Sequence, residues 1–251
     1  MSEPSRLRAD LAEAMAGSDG LYAADRLCAA CVELLPVDGA AISVISSGST
    51  RGTFGSSGQF SRRLDEYQFT FGEGPCLDAI ATRRPVLVAD LDDPSVQRWP
   101  AFTPAMIDAG VRAVFAFPTA IAAVYVGVLD LFCQAPGPLS KRATDGALWA
   151  AELAALPLLD LMSSDIDWAA AGEGGDGWEE LASLERVEVY QATGMLMGQL
   201  NVDSAEALAR LRGHAFVTGR TASEVAWDIV ERRLILDGDD HAPGGSTQGP
   251  T

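Results

Sequence analysis

Residues 187–236, VEVYQATGMLMGQLNVDSAEALARLRGHAFVTGRTASEVAWDIVERRLIL, predict three helices separated by two short breaks. Asp203 and Thr221 are each followed three residues later by a glutamate, which is the pattern of a capping box that starts a helix. Gly219 suits the left-handed conformation that ends the second helix. The apolar positions expected to pack are Val189, Ala192, Leu196 and Leu200, then Leu208, Leu211 and Ala215, then Val225, Ala226 and Ile229. The sequence therefore predicts a small all-α module, which we place at residues 179–236.

The centre of the first helix carries a motif that resembles a known family. Ala192-Thr193-Gly194-Met195-Leu196-Met197 is similar to the Ala-Lys-Gly-x-Leu-Met pattern of the ANTAR domain, a three-helix RNA-binding module of bacterial antitermination regulators. The spacing of Ala205, Leu208, Leu211, Arg212 and Ala215 extends the resemblance through the second helix. The resemblance implies that paired RNA hairpins are bound by Gln191, Thr193, Gly194, Met197, Arg210, Arg212 and Arg220. Thr193 departs from the usual lysine, which removes a cation that would attract phosphate.

The charge of the chain argues against nonspecific nucleic-acid binding, because the net charge is −17. Between residues 207 and 236, however, five arginines stand against three acidic residues. We therefore expect a small, local RNA contact that is sensitive to salt.

A glycine in mid-helix, Gly194, costs roughly 1 kcal/mol relative to alanine, which favours a close approach of another helix or an RNA loop.

The first two thirds of the chain predict an α+β domain with an antiparallel sheet. We expect helices near 21–35, 61–69, 101–109 and 140–162, with another starting at Pro75, and strands at 40–46, 50–55, 85–89, 113–120 and 124–133. This order, with FGEGPCLDAI at 71–80 and VRAVFAFPTAIAAVYVGVLDLF at 111–132, resembles a GAF domain of the kind that is paired with ANTAR domains. GAF domains hold varied small molecules or none, so the resemblance implies an unknown small-molecule ligand at most.

The domain boundaries follow from composition. We expect a polar lead-in outside the core at 1–19, the GAF-like domain at 20–162 and a flexible Gly- and acid-rich linker at 163–178. The ANTAR-like module at 179–236 is followed by a disordered tail at 237–251. No apolar run reaches the roughly 18 residues of a membrane span and no signal peptide precedes the domain, so we expect a cytoplasmic protein.

The side-chain inventory contains no recognisable catalytic set. Only two histidines occur, His214 and His241, and the first domain has none, which excludes a His-ligated haem or a His-rich metal site there. Cys28 and Cys31 form a C-x-x-C inside an amphipathic helix, where burial as small apolar residues is favoured over zinc or redox chemistry. We expect no catalytic residues, no metal and no cofactor.

Two further sets of side chains leave alternatives open. Cys76 follows Gly-Glu-Gly-Pro at an expected helix start, where it is either a packed residue or a reactive thiolate. Phe71, Trp99 and Phe102 either line a ligand cavity or belong to the core.

Together these patterns predict a signal-responsive regulator that acts by transcription antitermination. We expect it to form a homodimer through the 140–162 helix, using Leu148, Leu153, Leu156 and Leu159. Two alternatives remain: a cysteine-dependent redox enzyme or sensor built on the GAF-like domain, such as one that reduces methionine sulfoxide, and an interaction module that binds no RNA. The acidic charge and Thr193 favour the interaction module, and Cys76 with Cys133 keeps the redox alternative open, although that alternative leaves the helical module unexplained.

Overall fold

The computed structural model describes residues 3–46, 49–96, 98–163 and 186–236. The chain divides into two compact units, Met1–Val187 and Glu188–Thr251. The predicted linker at 163–178, apart from its first residue, and the predicted tail at 237–251 lie outside the described residues.

The first unit contains a five-stranded antiparallel sheet. Its strands are β1 (Gly39–Ser46), β2 (Ser49–Ser56), β3 (Val86–Val88), β4 (Ala113–Ile121) and β5 (Val124–Cys133). They lie in the order β2-β1-β5-β4-β3, so β5 is central and pairs with both β1 and β4. Each strand was expected from its run of β-branched and aromatic residues, and the antiparallel sheet is confirmed.

Four helices lie on one side of the sheet, and the first of them packs on two of the others. These are α1 (Glu3–Ala14), α2 (Gly20–Leu34), α6 (Lys141–Leu153) and α7 (Ala155–Ser163). The strand residues on this face alternate with those on the other, as in Phe115 and Phe117 of β4 and Leu129 and Leu131 of β5. They form one apolar cluster with Leu27 of α2.

The expectation that residues 1–19 lie outside the core is wrong. Leu7 and Leu11 of α1 and the following Met15 are buried in this same cluster, four residues apart on one side of the helix. The polar and alanine-rich composition concealed an amphipathic stripe of only three large side chains.

The expectation of one continuous helix over 140–162 is also wrong, because α6 ends at Leu153 and α7 begins at Ala155. Pro157 explains the break, since its ring conflicts with the carbonyl four residues earlier, at Leu153, and it has no amide to donate. Ser140 caps the start of α6 by accepting a hydrogen bond from the Ala143 amide at 3.2 Å.

The opposite face of the sheet is covered by α3 (Gln59–Phe71), α4 (Pro75–Thr82) and α5 (Phe102–Asp108). Leu64 and Tyr67 of α3 pack with Met106 of α5 and with Val114 and Phe132 of the sheet. The start of α4 packs beside them, with Cys76 and Ala79 against Ala116 and Val128. Polar side chains are also buried on this face, and they form the network described below.

The second unit has the three expected helices, α8 (Val187–Leu200, whose first residue closes the first unit), α9 (Ser204–Thr218) and α10 (Ala222–Val230). Asp203 caps α9, Gly219 ends it with φ 64°, and Thr221 with Glu224 forms a complete capping box for α10. The reciprocal half of the first capping box is absent from the described contacts, because Glu206 pairs with Arg210 at 2.8 Å instead.

Candidate functional site

The helix α8 presents two faces of different character. Its packed face buries Val189, Ala192, Thr193 and Leu196, which includes three of the four apolar positions that the sequence assigns to it. The residues on the other side are exposed, among them Gln191, Gly194 and Met197. Three of the residues expected to contact RNA are therefore accessible on one helix.

Thr193 lies on the packed face, with 8% of its surface exposed. Its hydroxyl donates to the carbonyl of Val189, one turn earlier, at 2.6 Å. This backbone bond satisfies the hydroxyl inside the helix. Thr193 therefore belongs to the packed face of α8, while its neighbour Gly194 belongs to the exposed face.

Tyr190 is an exposed aromatic residue that the sequence pattern did not single out. It is 50% exposed and lies one turn before Gly194, with Met197 one turn beyond. A side chain at Gly194 or at Gly198 would meet no atom within 4 Å. Together Tyr190, Gly194, Met197 and Gly198 make a low, open surface, which we call the α8 surface. The sequence indicates this surface only through Tyr190, an aromatic residue that does not follow the spacing of the buried positions.

The arginines expected to contact phosphate are half-buried rather than extended into solvent. Arg210 pairs with Glu206 within α9 at 2.8 Å. Arg220 pairs with Asp228 at 2.7 Å and also donates to the carbonyl of Glu224. Hydrogen bonds from Arg220 and Arg233 hold the pKa of Asp228 below its usual value. Arg210 and Arg220 would have to exchange or share these partners to hold a phosphate.

In the first unit, two of the three aromatic residues proposed for a ligand cavity are core residues. Trp99 and Phe102 are buried and meet edge to face, with ring centroids 6.0 Å apart. Phe71 is partly buried and stacks on Tyr67 at 5.6 Å. All of these rings belong to or pack against one apolar cluster, which favours the interpretation as core residues over a ligand cavity.

A buried polar network lies on the α3 face of the sheet. Asp65 of α3 is almost completely enclosed and accepts hydrogen bonds from the hydroxyls of Ser43 on β1 and Thr53 on β2. The Thr53 bond is 2.6 Å long. These bonds tie α3 to the two neighbouring strands and stabilise a carboxylate that would otherwise be costly to bury.

A second buried carboxylate, Asp130, lies in the central strand. Its directly opposite neighbours are alanines, Ala41 and Ala116, which leave room above the sheet. Gln68 fills that room: its Nε2 donates to Asp130 at 3.0 Å and its Oε1 accepts from the backbone amide of Cys76 at 2.7 Å. Burial and the nearby Asp65 raise the pKa of Asp130 well above its usual value.

The start of α4 is held by the loop that precedes it. Gly74 has φ 141°, and a Cβ there would come within 2.6 Å of Gln68, so this glycine is required for the close approach. Glu73 accepts hydrogen bonds from the amides of Ala101 and Phe102, at 2.6 and 2.9 Å, and thereby caps α5. The FGEGPC stretch is therefore a junction that joins α3, α4 and α5.

The structure favours the packed interpretation of Cys76 over the reactive thiolate. Cys76 is fully buried, and burial, followed by Asp130 and Asp65, raises the pKa of its thiol well above the usual value. These effects outweigh the position at a helix start. The other cysteines are free and buried as well, and burial raises the pKa of Cys31 to about 12 and that of Cys133 to about 11. The expected packing of Cys28 and Cys31 as small core residues is confirmed.

Within the described residues, no cluster of three or more His, Cys, Asp or Glu side chains is arranged to hold a metal ion. No helix in that part of the chain combines the length and apolarity that a membrane crossing requires.

Comparison with protein families gives two matches. The model of the GAF domain matches residues 23–155, just over half of the chain, and the model of the ANTAR domain matches residues 180–230. No curated protein matches the chain.

Several solved structures are similar to part of this chain. The GAF domain from an Acinetobacter phosphoenolpyruvate-protein phosphotransferase is 14% identical, with a TM-score of 0.50 over 66% of this chain and 100% of that chain. The reduced form of fRMsr from Staphylococcus aureus is 14% identical, with a TM-score of 0.47 over 61% and 94%. Free methionine-R-sulfoxide reductase from Neisseria meningitidis is 18% identical, with a TM-score of 0.44 over 62% and 87%. At 14% identity the likeness to the Acinetobacter domain shows the fold alone.

Proposed function

Because this chain belongs to the GAF domain family and also contains an ANTAR domain, we propose that it is a signal-responsive regulator that binds paired-hairpin RNA leaders in the cytoplasm. In this proposal the first unit receives a signal and the second prevents a terminator from forming. The ANTAR domain is an RNA-binding antitermination module, and the GAF domain is a signal-sensing one.

The α8 surface carries the RNA-binding part of the proposal. It exposes Gly194 and Met197 of the motif together with an aromatic ring, Tyr190. An RNA loop displays unstacked bases, and an exposed aromatic ring beside a stretch without side chains suits base stacking and close approach of the backbone. A duplex groove offers no such bases, so hairpin loops are the better match to this surface.

The basic residues of α9 support a modest electrostatic contribution. Arg210 and Arg212 lie two residues apart on α9, and Arg210 is compensated by Glu206. Since affinity depends on the number of phosphates neutralised, the proposed contact is small and weakens as salt rises. This agrees with a chain whose net charge of −17 repels nucleic acid at large.

We also propose that the first unit forms a homodimer through α6 and α7. Leu148, Leu156 and Leu159 are exposed on these helices, whereas Leu153 packs against the core of its own unit. Burial of these exposed leucines against a second copy of the chain would remove their apolar surface from water and stabilise a dimer. Two copies would present two RNA-binding units to the two hairpins of one leader, which raises the effective concentration of the second.

Crosslinking of bound RNA in cells, followed by sequencing, tests the function directly. The proposal expects enrichment of leaders that contain two adjacent hairpins upstream of a terminator. Recovery of no RNA above the background of an unrelated acidic protein would favour an interaction module that binds no RNA.

A further inference from the structure

A surface cavity in the first unit lies apart from the aromatic residues proposed above for a ligand. It has a volume of about 480 Å³ and lies between α2 and the junction of β2 with α3. The lining residues are Asp25, Arg26, Ala29, Ser56, Ser57, Gly58, Gln59 and Arg62. This volume falls within the range of small-molecule sites, about 300–1,000 Å³.

The cavity carries a local excess of positive charge in a strongly acidic protein. Two arginines and one aspartate line it, whereas the whole chain has a net charge of −17. The serine hydroxyls and the Gln59 amide add uncharged hydrogen-bonding groups around the guanidinium ions. A ligand that combines negative charge with several acceptor oxygens matches this lining.

Arg26 is held in place by its own surroundings. Its Nε donates to the carbonyl of Ala14 at 2.5 Å, and its guanidinium lies 6.0 Å from the ring centroid of Tyr22. Among the described residues, the Nη groups of Arg26 make no hydrogen bond, so they remain donors for a ligand. An anchored guanidinium loses less conformational entropy when it binds an oxyanion than a mobile one does.

Arg62 is positioned on the α3 side of the cavity. One Nη donates to the carbonyl of Thr53 at 3.0 Å, and the other lies 4.0 Å from Asp25. Asp25 in turn accepts the amide of Ser56 at 2.8 Å. The Asp25 carboxylate therefore interacts with the Ser56 amide and with one side of Arg62. It leaves the positive charge of Arg26 uncompensated within the cavity.

We propose that this cavity binds a small phosphorylated anion, and that this anion is the signal received by the first unit. The two guanidinium groups would hold phosphate oxygens, and the side-chain amide of Gln59 would hydrogen-bond the remainder of the ligand. The regulatory meaning of this site rests on the function proposed above. Its ligand binding does not involve RNA, so the two proposals fail in separate experiments.

Isothermal titration calorimetry of the full chain with pyrophosphate, at ionic strength held constant with sodium chloride, tests the site. The expected result is saturable binding that is at least about tenfold weaker in the Arg26→Gln variant, because each such charge-assisted contact is worth roughly 1.4 kcal/mol or more. Arg62→Gln is expected to behave in the same way. Arg26→Gln is the primary variant, since Arg62 also holds the carbonyl of Thr53.

Arg63→Gln is the control, because Arg63 follows Arg62 on α3 and the change in net charge is identical, but Arg63 does not line the cavity. It is expected to retain the affinity of the parent protein. Absence of saturable binding to the folded parent protein would overturn the proposal. An equal loss of affinity in Arg63→Gln and Arg26→Gln would also overturn it, since general electrostatics would then explain the binding.

Discussion

The hydroxyl of Thr193 donates to the carbonyl of Val189 at 2.6 Å, on the packed side of α8. Thr193 occupies the motif position at which the related family usually has lysine, and the structure directs its polar group back to the helix. The next residue, Gly194, is exposed. In the proposed function, Thr193 therefore packs within the second unit and Gly194 lies on the surface that contacts RNA.

We predict that Thr193→Val changes RNA affinity less than about twofold. Valine has the same shape, and the Val189 carbonyl retains its place in the helix, so the free energy of unfolding should change by less than about 1.5 kcal/mol. Filter binding with a hairpin RNA and chemical denaturation give the two quantities. A tenfold loss of RNA affinity without loss of stability would show that the hydroxyl contacts RNA.

Gly194→Ala should stabilise the second unit and weaken RNA binding. The new methyl group meets no atom within 4 Å, and alanine favours a helix over glycine by about 1 kcal/mol. If RNA approaches the α8 surface closely, the same methyl group obstructs it. Gly213→Ala in α9 is the control, because its Cβ would also lie in open space. Equal RNA affinity in both variants would remove Gly194 from the interface.

Glu206→Gln should strengthen RNA binding, because it releases Arg210 from its 2.8 Å ion pair. One additional phosphate contact should steepen the slope of log affinity against log salt by about 0.7 to 0.9. Glu33→Gln, an exposed change of equal charge in the first unit, controls for net charge. If both variants change the slope equally, the effect is one of overall charge and Arg210 does not contact phosphate.

Asp130→Asn should make the first unit more stable at neutral pH. The pKa of Asp130 is raised in the folded state, so its favourable contribution is complete below the unfolded pKa near 4 and is lost as pH rises through the folded pKa. We expect a gain of at least about 1 kcal/mol at pH 7.5 and little difference at pH 4. Thermal unfolding across this pH range measures the effect.

The control for this series is Asp19→Asn, an exposed change of the same kind. A gain in stability that does not depend on pH, or one that Asp19→Asn shares, would contradict the assignment of the proton to Asp130.

The sequence predicted most elements because periodicity and caps act locally. The capping box at Thr221 and the glycine at 219 set the ends of helices through contacts within a few residues, and the structure shows both. The break before Ala155 has its signal in Pro157, which the apolar periodicity on both sides of it does not show.

The buried network was harder to predict because it depends on pairing between distant strands. Asp130 interrupts an apolar strand, and its partner Gln68 is 62 residues away in sequence. Only the register of β1, β4 and β5 shows that alanines flank the carboxylate and leave room for that side chain. The cavity at Arg26 and Arg62 likewise requires α2 and α3 to be brought together by the sheet.

RNA binding is tested most directly by the affinity of the full chain for a two-hairpin RNA, compared with duplex DNA of equal length in the same salt. If the second unit binds hairpin RNA, binding to the RNA should be saturable and at least about tenfold tighter than binding to the DNA, a difference of roughly 1.4 kcal/mol. Equal affinity for the two nucleic acids, or no binding of RNA by the folded protein, would contradict the proposal.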